Sequence, residues 1–340
     1  MIPHTTPACQ TDSWQKTLQQ AIRDPAELLA LLELPRELLP AARRAASRFP
    51  LRVPRGYASR IQKGNPADPL LLQILPLQQE MQTTPGYHAD PVGDVAAMPL
   101  PGLLHKYAGR VLLITTGACG IHCRYCFRRD FPYAAARPDQ GEWQAALDYI
   151  AADTSIREVI LSGGDPLSLS DARLAELVQR LEAIPHLQRL RLHTRFPVIL
   201  PERVNRKLLT WLARCRLQKI MVVHTNHANE IDRPVTEALR TIGKQGVTLL
   251  NQAVLLRGIN DNPEALCGLS ESLFTAGVLP YYLHQLDKIQ GASHFAVEDA
   301  TAIDLLQQLR QQLPGYLVPR LVRELTGEAA KIPLESRNFL

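Results

Sequence analysis

Three cysteines fall within eight residues of the stretch GACGIHCRYCFRRD, residues 117–130: Cys119, Cys123 and Cys126. Thiolates at this density are metal ligands or redox groups, and each chemistry asks for a different number of them. A closed structural zinc site wants four ligands, so zinc would have to recruit His122 or His105. A redox disulfide would use Cys123 and Cys126 and leave Cys119 idle. A cubane [4Fe–4S] cluster on three thiolates keeps one iron with an open coordination position, which is where a metal does chemistry. The remaining cysteines, Cys9, Cys215 and Cys267, are isolated and read as buried or surface thiols.

The whole chain must supply the elements that hold this stretch. Its 340 residues are 46% hydrophobic and 21% charged, an ordinary globular composition that excludes a disordered chain. No apolar run approaches the ~18–20 residues that cross a bilayer, and MIPHTTPACQTDSWQK lacks a signal peptide's basic start and apolar core. A cytoplasmic protein with no membrane partner is expected. The net charge of +5 comes without a Lys/Arg block, so direct nucleic-acid binding is not expected.

Residues 14–50 read as helical, with Asp24-Pro25 as a cap and AELLALLELP as an apolar stripe ended by Pro35. Residues 51–104 are broken by prolines yet still apolar, as in a segment that wraps a core. From residue 110, short β-branched runs alternate with stretches at helical period: RVLLITT (110–116), EVILSG (158–163), RLRLHT (189–194), KIMVVHT (219–225), TLLNQAVLL (248–256) and LPYYLHQ (279–285). Alternation of this kind predicts an α/β fold of parallel strands with right-handed crossovers. Polar groups close nearly every strand: Gly163-Gly164-Asp165, His193-Thr194-Arg195, His224-Thr225-Asn226, and Gln285 followed by Asp287. Sites assembled from many strand ends suit a barrel better than an open doubly wound sheet, so a partial (β/α)6 TIM-type barrel is expected. The expected boundaries are an N-terminal helical and wrapping segment at 1–105, the barrel at 106–315 and a short C-terminal segment at 316–340.

The spacing in CGIHCRYC resembles that of the radical S-adenosylmethionine enzymes, placed just after a first barrel strand as in that family. HKYAGRVLLITTGACGIHCRYCFRRDF, SGGDPL, LRLHTRFPV, HTNHANEI, LLNQAVLLRGIND, PYYLHQLD and GEAAKIP together resemble the lysine 2,3-aminomutases within it, in order across residues 50–340. The resemblance implies a radical S-adenosylmethionine barrel with a [4Fe–4S] cluster on Cys119, Cys123 and Cys126, whose open iron chelates S-adenosyl-L-methionine. It places Tyr125 near the adenine, Gly163, Gly164 and Asp165 at the methionyl end, and His224 and Gln252 near the same cofactor. It implies a second cofactor, pyridoxal 5′-phosphate, on Lys331 in TGEAAKIP, a lysine that would otherwise read as solvated. Lys106 and Arg110 match the basic positions that hold its phosphate. Arg128 matches the arginine that pairs the substrate α-carboxylate, with Arg129 a less specific neighbour. Asp287 and Glu324 match two carboxylates that receive the substrate's distal ammonium, the second usually an aspartate. His193, His227 and Arg195 fit either ligand contact or strand-end packing.

The activity so implied is a radical 1,2-amino shift that converts (S)-α-lysine to (R)-β-lysine. Gly327-Glu328-Ala329-Ala330 replaces the family's glycine run before the lysine, and no cysteine follows Cys267, so the tail zinc of the parent aminomutases is not expected. These features and Glu324 resemble the branch that supplies β-lysine for modification of elongation factor P, where a separate lysyl ligase attaches the product. The implied partners are L-lysine, an electron donor such as flavodoxin or ferredoxin, and, through the pathway, elongation factor P and its ligase. A homo-oligomer is compatible with the sequence. Rival readings are an aminomutase for ornithine or arginine, a radical enzyme that modifies RNA, and a non-catalytic iron–sulfur or zinc protein.

Overall fold

The computed structural model describes residues 13–136 and 143–335; Cys9 lies outside them. Nine strands form one mixed sheet in sequence order: β1 (Leu103–Tyr107), β2 (Arg110–Thr116), β3 (Glu158–Gly163), β4 (Arg189–Thr194), β5 (Gln218–Val223), β6 (Val247–Val254), β7 (Leu279–His284), β8 (Arg320–Arg323) and β9 (Ile332–Pro333). From β2 to β8 every neighbour is parallel, while β1 on β2 and β9 on β8 are antiparallel edges. The six strands expected from the β-branched runs are therefore present, extended by a seventh parallel strand, β8, and by the two edge strands.

Six helices make the crossovers: Gln144–Ala152, Asp171–Glu182, Arg206–Arg214, Arg233–Gly243, Pro263–Thr275 and Asp299–Gln312. Their starts are coded locally. Ser170, Asn205, Asp232 and Asn262 each accept a hydrogen bond from a first-turn backbone N–H of the helix they precede. Proline opens two of them, at Pro234 and Pro263, where its missing N–H costs nothing. In Asp171–Glu182 the buried residues Leu174, Leu177, Val178 and Leu181 repeat at helical spacing, so one stripe faces the sheet. β3 is buried along its whole length, covered by helices outside and by the site inside.

The sheet is not closed by hydrogen bonds, yet it is strongly curled. Flat, seven strand spacings would separate β1 from β8 by roughly 34 Å. Instead Lys106 on β1 lies 3.1 Å from Glu324, the residue after β8. The two edges face one another across the mouth of a partial barrel.

The N-terminal segment belongs to the same core. Trp14, Leu28, Tyr57, Leu70 and Ile74 pack in one apolar cluster with Val159, Leu190 and Met221 of the sheet. β1 straddles the expected 105/106 boundary. Helices cover only parts of 13–48 (Ser13–Gln19, Pro25–Leu31 and Leu39–Arg48), and the second ends at Leu31, ahead of Pro35. The wrapping segment is mostly turns, and it delivers Gln73, Glu80 and Asp94, all buried, to the side of the sheet where the cysteines lie. Among the described residues no helix is long and apolar enough to cross a membrane.

Candidate functional site

A cavity of about 770 Å³ opens at the C-terminal ends of the strands, the end at which barrels carry their sites. The fifteen residues given a cluster, cofactor or substrate role above line it: Cys119, Cys123, Cys126, Tyr125, Gly163, Gly164, Asp165, His224, Gln252, Lys106, Arg110, Arg128, Asp287, Glu324 and Lys331.

The cysteine loop is fixed by close backbone packing against the end of β3. Gly164 N donates to Thr116 O (2.7 Å) and Asp165 N to Ala118 O (2.8 Å). A Cβ on Gly163, whose φ is +117°, would stand 2.6 Å from Thr116 O, and one on Gly164 would stand 2.4 Å from Ala118 O. The glycine pair is thus needed first by the cysteine loop, whose main chain lies where side chains would be. Asp165 sits behind it with its carboxylate used within the protein: Oδ1 accepts from Leu167 N (3.0 Å) and Thr194 Oγ1 (2.7 Å), and Oδ2 from Arg195 N (2.7 Å). Burial pushes this carboxyl up to about 6 despite those bonds. The geometry gives Asp165 the work of tying the ends of β3 and β4 together.

Two arginines of the loop are engaged by Glu80. Arg124 is fully buried and donates to it bidentately, from Nε (2.8 Å) and Nη2 (2.5 Å), while Arg129 adds Nη2 at 3.0 Å. Arg129 therefore braces the loop against the wrapping segment. The thiols themselves are free and partly buried. Burial and the neighbouring thiol Cys123 push Cys126 up to about 11, and burial, then the Cys126 thiol, push Cys119 well above the ordinary thiol range. For three clustered thiols to ionise together they need a strongly positive centre, which a cubane, taking one thiolate per iron, would provide. Among the described residues no three His, Cys, Asp or Glu side chains are arranged to hold a single metal ion.

A second buried network stands behind Cys123. Arg195 donates from Nη1 to the Cys123 sulfur and to Tyr125 Oη (2.7 Å), and from Nη2 to Gln73 Oε1 (2.6 Å) and Glu230 Oε2 (2.7 Å). Asn226 Nδ2 donates to Tyr125 Oη at 2.6 Å. Tyr125 is thus held by its hydroxyl, with its ring edge-on to Phe295. His227 lies outside the cavity lining and caps the turn Ala228–Glu230.

A chain of alternating charge crosses the mouth. Lys331 is paired with Glu324, Glu324 with Lys106 (3.1 Å), Lys106 with Asp94 (2.5 Å), and Asp94 with Arg128 (2.7 Å). Lys106 also donates to Val92 O at 2.7 Å, so its three N–H bonds all go to protein acceptors. Burial raises the Glu324 carboxyl, but the Lys331 and Lys106 ammoniums outweigh it and hold it at about 2. Burial likewise raises Asp94, and the Arg128 and Lys106 charges bring it below the usual carboxylate range. For Asp287 the Lys331 and Lys106 charges do not outweigh the opposing causes: burial and then the Glu324 charge push it up to about 7. Arg128 also donates to Ser162 Oγ (3.2 Å), and Arg110 lies over the Tyr107 ring at 4.6 Å.

Several buried polar atoms of the lining have no partner in the protein, namely Nε2 of His193, His224 and His284 and Nε of Arg129 and Arg195. Burial drives all three imidazoles toward the neutral form. Unmet buried groups of this kind suit a polar occupant. Sequence reasoning missed Gln73, Glu80, Asp94 and Glu230. The first three sit in a segment without periodicity, and nothing local marks them as partners of the cysteine and arginine positions.

The radical SAM superfamily profile matches residues 113–269. An L-lysine 2,3-aminomutase of Escherichia coli is 49% identical over 325 residues, covering 95% of each chain. One of Haemophilus influenzae is 47% identical over 97% of this chain and 98% of its own. One of Clostridium subterminale is 33% identical over 95% of this chain and 78% of its own.

Proposed function

The chain belongs to the lysine 2,3-aminomutase family of radical S-adenosylmethionine enzymes, and from that membership we propose that it moves the α-amino group of lysine to the β-carbon, converting (S)-α-lysine to (R)-β-lysine. The observation that carries this reading is the union, in one cavity, of three thiols with two carboxylates, an arginine and a partly buried lysine. Cys119, Cys123 and Cys126 would hold the cluster. Tyr125, Gly163, Gly164, His224 and Gln252 would surround S-adenosyl-L-methionine, with Asp165 positioning the glycines. Lys331 would carry pyridoxal 5′-phosphate, with Arg110 on its phosphate; Lys106, whose N–H bonds go to Asp94, Glu324 and Val92 O, would have to give one of them up to reach it. Bound, these groups supply a carbon radical and a means to stabilise the migrating nitrogen.

The chain's own residues orient the substrate. Arg128 presents a planar donor to the α-carboxylate, with Asp94 fixing the direction of its guanidinium. Asp287 and Glu324 offer two carboxylates to the distal ammonium. Glu324 is the one already paired with Lys331 and Lys106, so a substrate ammonium enters by sharing it. The cavity walls confine the reacting groups, so that a primary carbon radical, if formed there, would meet the positioned substrate C–H bond rather than another. Asp287 and Glu324 select a distal cation without measuring chain length, so ornithine and arginine are the competing substrates.

A narrower role, supply of β-lysine for modification of elongation factor P, rests on the resemblance in Glu324 and in the GEAAK loop. Borohydride reduction of protein loaded with pyridoxal 5′-phosphate, followed by peptide mapping, tests the lysine assignment. The label is expected on Lys331, and a label on another lysine with Lys331 unmodified refutes it.

A further inference from the structure

The strand end His193-Thr194-Arg195 carries an arginine whose surroundings differ from those of every other cation in the cavity. Arg195 is buried, 5% exposed, and lies at the cysteine end, away from the charge chain of the mouth. Its main chain is anchored by Asp165 and its Nη2 by Gln73 and Glu230, so the guanidinium has one orientation. Glu230 is itself fixed, accepting from the backbone N–H groups of Asn226 (2.8 Å) and His227 (3.1 Å) and from Gln73 Nε2 (3.2 Å). What this framework aims at the cavity is Nη1, onto the sulfur of Cys123 and the hydroxyl of Tyr125. A lysine could not make this set of bonds, because the contacts use the planar fork.

We propose that Arg195 is a positioning residue for the iron–sulfur cluster, a fixed donor to the Cys123 thiolate that raises the cluster's reduction potential, with Glu230 setting how much of the arginine's charge the sulfur feels. The proposal rests on the cluster assignment made above. One electron from an external low-potential carrier takes the cluster from [4Fe–4S]2+ to [4Fe–4S]+, so the reduced form holds one more negative charge. A hydrogen-bond donor and a positive charge beside a ligating sulfur stabilise that form more than the oxidised one, and hydrogen bonds to sulfur are an established lever on such potentials. The same fork holds Tyr125 Oη, so the donor and the aromatic side chain next to Cys126 are fixed together.

The test is a potentiometric titration of the reconstituted full chain, followed by the electron paramagnetic resonance signal of the reduced cluster. Arg195→Gln is expected to shift the midpoint potential negative at unchanged iron content. Glu230→Gln, which keeps the carboxylate's shape and removes its charge, is expected to shift it positive. A purely structural role would lower iron content or thermal stability in both variants without moving the potential in opposite directions. An unchanged potential in loaded Arg195→Gln overturns the proposal. Should that variant not load, Glu230→Gln decides: a positive shift supports it, and no shift or a negative one overturns it. Failure of the cluster reading itself is separate, since it would appear as no cluster in the unaltered chain.

Discussion

Asp287 and Glu324 are two carboxylates of one cavity with opposite electrostatic fates. Glu324 is ionised down to about pH 2 because two ammoniums touch it, whereas Asp287 titrates near 7 because burial and Glu324 itself oppose its charge. The folded pKa of Asp287 lies above that of an unfolded aspartate. Its contribution to stability is therefore present below about pH 4 and lost as the pH rises through 7. The ionised form, which on the proposed reading would pair a substrate ammonium, appears over the same rise. KM for lysine is expected to fall about tenfold between pH 6 and 8, following the ionised fraction. In Asp287→Asn this dependence should vanish; a slope equal to that of the unaltered chain would remove Asp287 from the substrate site. Asp287→Ala is expected to cost about 10- to 100-fold in lysine turnover, the worth of a charge-assisted hydrogen bond, with cofactor content intact. The arginine beside Cys126 teaches a related lesson. The resemblance gave Arg128 a substrate carboxylate to pair, whereas its partner in the fold is Asp94, which no pattern in residues 51–104 marks among several acids.

At the scale of elements, what could be read was what repeats. The runs at 110–116, 158–163 and 189–194 are strands over those same residues: β-branched residues fill the first two, and in RLRLHT buried Leu190, Leu192 and Thr194 alternate with half-buried neighbours at strand period. β8 has four residues and β9 two, one of them a proline, and LLHKY in β1 has no β-branched residue, so none carried a period long enough to see. Those three strands nevertheless bring Lys106, Glu324 and Lys331 together. The wrapping segment is the other illegible element, and its hold on the cysteine loop is specific. Glu80 neutralises Arg124 and Arg129, all three with side chains at most 1% exposed. Glu80→Ala strands two buried guanidiniums and is expected to destabilise the fold by about 3–5 kcal/mol. Denaturant unfolding measures this, and a loss below ~1 kcal/mol would show that the brace contributes little.

Over the whole molecule, two separate stretches of chain converge on one cavity. The loop after β2 brings the thiols, and the segment after β8 brings Glu324 and Lys331 some two hundred residues later. Curling of the sheet unites them, and the ion pair between Lys106 and Glu324 spans the gap that hydrogen bonds leave open. A cation-rich, carboxylate-matched mouth above a thiol-lined floor is the arrangement an amino-acid substrate with three charged groups requires. The most direct test is to reconstitute the full chain with iron, sulfide and pyridoxal 5′-phosphate, reduce it anaerobically, and incubate it with L-lysine and S-adenosyl-L-methionine. β-Lysine is expected to form, to depend on S-adenosyl-L-methionine, and to disappear in Cys126→Ala. Fully loaded, reduced protein that leaves lysine unchanged would contradict the account.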